Sequence, residues 1–264
     1  MRMLLSLLLA GVVAQALPVP EKPSHSNVDV KTIIEKSVAG NDRDFKLGPD
    51  FNYKQRETTG GVTKTSQVTM IDGSPYTKLL AINGHTLSAD KAAEEERKMT
   101  DAIKQRSSES ASQRQDRIAK FEKGRKSDHE MMSQLTVAFN FILLGTHQLR
   151  GYTVWALKAI PKPGYQPPNM DCQVLPGMQG EMWIDQKTYE WVKVTARVIH
   201  PVAIDGVLAQ VQPGTRFEIE KNPVGQGIWQ ITHYSSHADA HVLFLFNHEQ
   251  DDRVTYFDFQ RIQP

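Results

Sequence analysis

The sequence predicts an α+β domain, one large antiparallel sheet with helices against one face. Three observations carry that expectation. Short segments of alternating apolar and polar residues recur between turn dipeptides, as at Asp72-Gly73 and Asn83-Gly84, where a small polar residue and glycine suit the tight hairpin turn. Strand-like segments also follow one another through short turns, a pattern of antiparallel pairing. Helical composition, by contrast, is confined to two stretches and does not alternate with the strands.

The elements follow in order. Met1–Ala16 reads MRMLLSLLLAGVVAQA: a basic residue, a short apolar run and an A-x-A site, the pattern of a cleavable secretory signal. The run is shorter than the ~20 residues that span a bilayer. After the proline-rich linker Leu17–Pro23, Val30, Ile33, Ile34 and Val38 recur at helical spacing. Ser26 and Asn27 are candidate caps and Gly40 a candidate stop. From Phe51 the period changes to that of strands: FNYKQR, VTKTSQVTMI and YTKLLAI.

The next stretch, residues 83–130, reads as a mostly helical insert. Ala89–Glu130 holds 11 Lys/Arg against 10 Asp/Glu and no proline. Its apolar positions are sparse (Met99, Ile103, Ile118, Phe121), which predicts a wet helix lying loosely on the body. An apolar face resumes at Met131, Met132, Leu135 and Phe139. VWALKAI, GEMWID, YEWVKVTARVI, RFEIEK, IWQITHYS, HADAHVLFLF and VTYFDFQRI then read as successive strands. No internal repeat or clean boundary emerges, so residues 17–264 are expected to form one domain.

Composition narrows the function. Formal net charge is +1, with both signs spread along the chain and no basic stripe, which disfavours a nucleic-acid partner. No later segment is apolar for the length of a membrane span. The single cysteine, Cys172, precludes an internal disulfide framework and lies far from the cleavage site, so no thiol stands there to carry a lipid anchor. A periplasmic or secreted protein is expected.

Catalytic motifs come only as near misses. His129-Glu130-Met131-Met132-Ser133 has serine where a zinc-binding HExxH helix needs its second imidazole. Gly225-Gln226-Gly227 joins two strands, not a strand and a helix. HADAH places His237, Asp239 and His241 on one strand face, ~7 Å apart between neighbours. Zinc donors must converge at ~2.0–2.2 Å from the ion, so a metal-dependent hydrolase built on these residues needs a further ligand from another strand, with His233 as a candidate. The expectation is no enzyme and no cofactor. The opposite face of the same strand grows from small to large through Ala238, Ala240, Val242, Phe244 and Phe246, the mark of a core or a cavity.

DRDFKLGPDFNYKQRE, IDGSPYTKLLAINGHTLS, GTHQLRGYTVWALKAIPKPGYQP, GEMWIDQKTYEWVKVTARV and HVLFLFNHEQDDRVTYFDFQRI occur in this order along the chain. Together they resemble the LolA-like superfamily of periplasmic lipoprotein carriers, the outer-membrane receptor LolB and the lipid-binding domain of sigma-factor regulators. The resemblance implies a strongly curved antiparallel sheet, an open half-barrel whose concave apolar face is covered by helices. It implies a binder or carrier of lipid or lipoprotein acyl chains, working with envelope partners. Trp155, Leu157, Trp183, Trp191, Phe217, Ile219, Trp229, Phe244 and Phe246 all sit on predicted strands and are the candidate lining of an acyl cavity. An envelope sensor, in which the ligand changes partner binding, is the third reading.

Overall fold

The computed structural model describes residues 29–204, 209–242 and 246–262. The expected signal segment, the linker, Ser26, Asn27 and Phe244 lie outside the described residues, and of His241 and Phe246 only the backbone is described.

Helix α1 spans Val30–Leu47. Asp29 caps it, its carboxylate accepting from the Lys31 N–H at 3.1 Å, which satisfies one of the free donors of the first turn. The helix runs through Gly40, where the sequence predicted a stop. The cause is packing: a Cβ on Gly40 would come within 2.7 Å of Glu190 Oε1, so glycine here makes room for a buried carboxylate. Pro49, in the 3-10 turn Gly48–Asp50, follows the last helical residue.

A meander follows: β1 (Phe51–Thr59), β2 (Val62–Ile71), β3 (Ser74–Ile82) and the two-residue β4 (His85–Thr86). Both dipeptide turns form as predicted. Asp72 and Gly73 have φ of 47° and 86°, Asn83 and Gly84 of 51° and 81°, the left-handed pair that matches the twist of a two-residue hairpin.

The insert is two helices, α2 (Ala89–Ser107) and α3 (Ala111–Ala138). They are separated by a break whose last residue, Ser110, forms a reciprocal capping box with Gln113. The pair is pinned, contrary to the loose packing expected. Arg106 donates to the carbonyls of Ile71, Ser74 and Pro75 at 2.8–3.0 Å. Arg117 grips Glu109 and donates to Ser74 Oγ at 2.6 Å. Two arginines thus do what sparse apolar residues cannot, by satisfying the carbonyls of the β2–β3 turn.

The remaining strands are β5 (Phe139–Leu149), β6 (Tyr152–Pro161), β7 (Met178–Asp185), β8 (Trp191–Val198), β9 (Val202–Ile204), β10 (Ala209–Val211), β11 (Arg216–Gly225), β12 (Ile228–Val242) and β13 (Phe246–Arg261). IWQITHYS and HADAH, read as separate strands, are one continuous strand, β12. A 3-10 segment, Asp171–Gly177, leads into β7.

All strands belong to one antiparallel sheet in the order β4-β3-β2-β1-β13-β12-β11-β8-β7-β6-β5, with β9 and β10 off this path. The two ends do not pair, so the sheet stays open. The architecture is the α+β open half-barrel that the sequence predicts. The main core joins one sheet face to α1, α3 and the 3-10 segment through Ile33, Leu135, Cys172 and Leu175.

Candidate functional site

Alternation along the strands divides the candidate lining between two faces. Trp155, Leu157, Trp191 and Ile219 are buried on the helix-covered face, with Phe217 half-buried beside them. Trp183 and Trp229 belong to a second, smaller cluster with Val154, Val192 and Tyr152, built from sheet residues alone. The Tyr152 and Trp229 rings lie 5.1 Å apart. Sequence gave no register for β7 and β12, so the face of these two tryptophans was open.

The covered interior is rich in methionine. Met178 and Met182 are buried in the core, and Met131 and Met132 of α3 pack against it. Thioether side chains are unbranched and polarizable, so such an interior can change shape at little energetic cost. Trp191, 1% exposed, has an indole N–H with no acceptor among the described residues.

Helices α1 and α3 form a joined cover. The His129 ring stacks on Phe45 at 4.0 Å, and its Nε2 lies 3.0 Å from Asp42 Oδ1. The Arg125 guanidinium also sits over the Phe45 ring, 4.3 Å from its centroid, and donates to the Phe45 carbonyl. The histidine of the HExxH near miss therefore splices two helices.

Beneath the C-terminal half of α1 lies a buried charge cluster that the sequence did not reveal. Lys221 Nζ donates to Asp44 Oδ2 at 2.9 Å and to Glu190 Oε2 at 3.3 Å. Arg43 closes the cluster from the surface, donating to Glu190 Oε1 at 2.6 Å and Asp44 Oδ1 at 3.0 Å. Burial pushes the Glu190 carboxyl above the usual carboxylate range; Lys221 opposes that shift and Asp44 adds to it. Four charges of balanced sign hold the helix to β11 and to the residue that precedes β8, paired and hydrogen-bonded as such burial requires.

Among the metal candidates whose side chains are described, the two histidines make separate contacts. His233 Nδ1 is 3.4 Å from Thr255 Oγ1, and His237 Nδ1 is 3.0 Å from Asp251 Oδ1. Asp251 does arrive from a neighbouring strand, β13. Among the described residues, though, no group of three or more His, Cys, Asp or Glu is close enough to hold a metal ion. Cys172 is fully buried, and burial raises its thiol pKa, the setting of an inert structural cysteine.

The face away from the helices carries a cleft of about 850 Å³ across β6, β7, β8, β11, β12 and β13. Its lining includes Arg197, Arg216 and Arg253 with Glu181 and Glu218. Sequence shows these as the polar half of alternating strands but cannot show which stand opposite one another.

No family profile matches the chain, and no curated protein matches it in sequence. Solved structures do resemble it. A LolA superfamily protein from Nitrosomonas europaea is 9% identical, with 90% of this chain and 94% of that chain covered and a TM-score of 0.34. An outer-membrane lipoprotein-sorting protein domain from Vibrio parahaemolyticus is 11% identical, with 86% and 92% covered and a TM-score of 0.33. The MucA/MucB complex of Pseudomonas aeruginosa contributes a chain 9% identical, with 86% and 99% covered and a TM-score of 0.22.

Proposed function

We propose that the protein is a non-enzymatic, periplasmic binder or carrier of lipid or lipoprotein acyl chains, taken up between the sheet and the α1–α3 cover. One observation carries the reading: the covered face brings Trp155, Trp191, Met131, Met132, Met178 and Met182 into one adaptable apolar interior. Each methylene buried there is worth ~0.8 kcal/mol, so a sixteen-carbon chain gains roughly 12 kcal/mol before ordering costs. The indole N–H of Trp191, without an acceptor among the described residues, suits the carbonyl of an acyl ester. Among the described residues no helix is long and apolar enough to cross a membrane. The expected secretory signal and the family resemblance agree with work in the envelope.

Native mass spectrometry of gently extracted protein tests this. Bound acyl lipid is the expected result. Delipidated protein that takes up neither fatty acid, phospholipid nor lipopeptide overturns it.

A second reading, an envelope sensor that contacts a partner protein, is favoured by β5. This terminal strand of the sheet has no charged residue, and Ile142 and Leu144 are about half exposed. Open edges of this kind accept an added strand. Pull-down from membranes with wild type and Ile142→Lys separates the readings: only a β5 partner is lost on substitution.

A further inference from the structure

The cleft on the helix-free face places two arginines directly opposite each other. Arg216 of β11 pairs in register with Arg197 of β8, and on its other side with His237 of β12. Like charges opposite one another across a sheet are destabilising. Neither arginine has a carboxylate within ion-pair distance among the described residues. The acids nearby are mostly committed elsewhere: Glu218 to Lys193 at 2.8 Å and Asp251 to His237 at 3.0 Å. Glu181, on an adjoining row of the cleft, has no ion pair among the described residues. With the Gln179 amide turned so that its oxygen faces the guanidinium, Arg197 donates to it through Nη2 and Nε at 2.8 and 3.3 Å, which holds the side chain in place.

We propose that Arg197 and Arg216 form a binding site for a phosphate group, in a cleft separate from the covered interior. Two guanidinium groups side by side match the several oxygens of a tetrahedral oxyanion, Arg216 through its N–H fork and Arg197 through the Nη N–H groups that Gln179 leaves over. A phosphate carrying up to two negative charges balances both cations, whereas a carboxylate leaves one in excess. The mixed signs of the cleft, with Glu181, Glu218 and Asp251 present, oppose a long polyanion. About 850 Å³ is the size of a small-molecule site and holds a single phosphate ester or a phospholipid headgroup.

Calorimetric titration of the full chain with inorganic phosphate at low salt, together with flotation on phosphatidylglycerol and phosphatidylcholine vesicles, tests the site. Binding should weaken by about tenfold or more in Arg197→Gln and in Arg216→Gln, since each removes one charge-assisted donor group. It should be unchanged in Lys187→Gln, which alters an exposed turn. Titration without vesicle retention identifies a soluble phosphate ester as the source. Retention by phosphatidylglycerol that both variants lose identifies a headgroup. The proposal falls if neither probe binds at about 10 mM phosphate, or if binding is indifferent to both substitutions while the variants melt like wild type.

Discussion

Lys221 Nζ and Asp44 Oδ2 meet at 2.9 Å with both side chains only 3% exposed. They tie the lower half of α1 to the middle of the sheet. Removing one partner strands a buried charge, so Lys221→Ala should destabilise the fold by roughly 3–5 kcal/mol. Urea unfolding measures this, and a loss below about 1 kcal/mol would mean that the cluster is solvated.

Glu190 gives the cluster a pH signature. Its carboxyl lies above the usual value in the folded chain, chiefly through burial. Between the unfolded and folded pKa values the folded state therefore binds more proton, and the contribution of this group falls as pH rises through that window. It is fully present below the ordinary carboxylate value of 4.5. The expected outcome is that Glu190→Gln removes this downward component, so that wild type loses stability relative to the variant as pH rises above 4.5. A difference curve that is flat or of opposite slope contradicts the assignment.

Gly40→Ala should reverse its ordinary sign. In a helix interior the change normally stabilises by ~0.8–1.0 kcal/mol. Here the added Cβ meets Glu190 Oε1 at 2.7 Å, and that carboxylate is fixed by Lys221 and Arg43. Net destabilisation of about 1–3 kcal/mol is expected, read from the thermal midpoint.

Arg106→Gln should free the insert without unfolding the sheet. It deletes hydrogen bonds from a charged donor to three carbonyls, each bond worth ~1.5–3 kcal/mol. Hydrogen exchange should rise across α2 while β6–β8 stay protected. A uniform rise over the whole chain would show that the insert is part of the global folding unit.

Cys172 reports on the cover. Its side chain is fully buried between the 3-10 segment and the main core, so thiol labelling requires opening. Native protein should label about 100-fold more slowly than protein in urea. Acyl ligand that enters under α1 and α3 should change that rate, whereas ligand in the helix-free cleft should not.

The sheet was legible in the sequence because its signals are local. Asp72-Gly73 and Asn83-Gly84 each specify their own turn, and alternation in β8 separates Val194, Ala196 and Val198 from Lys193, Thr195 and Arg197. Interactions between distant segments were not legible. Gly40 looked like a helix end because Glu190, the residue that requires it, is on another element. The insert looked unanchored because apolar spacing carries no information on arginine-to-carbonyl bonds. The candidate lining followed the same rule: Trp155, Leu157, Trp191, Phe217 and Ile219 do share the covered face, while Trp183 and Trp229 fall on the other through strand register alone. The Arg197–Arg216 pair, likewise, exists only once β8 and β11 are aligned.

Strand β13 lies between β1 and β12, with Phe51 opposite Arg261 and His233 opposite Thr255. The N-terminal meander and the rest of the sheet are therefore stitched together by a strand that follows all the others described along the chain. Such a topology has high contact order: the loop from β1 to β13 closes only after β13 has been made, and the sheet folds slowly for that reason. A nascent chain stopped before Phe246 holds two sheets with an open edge each and no seam between them.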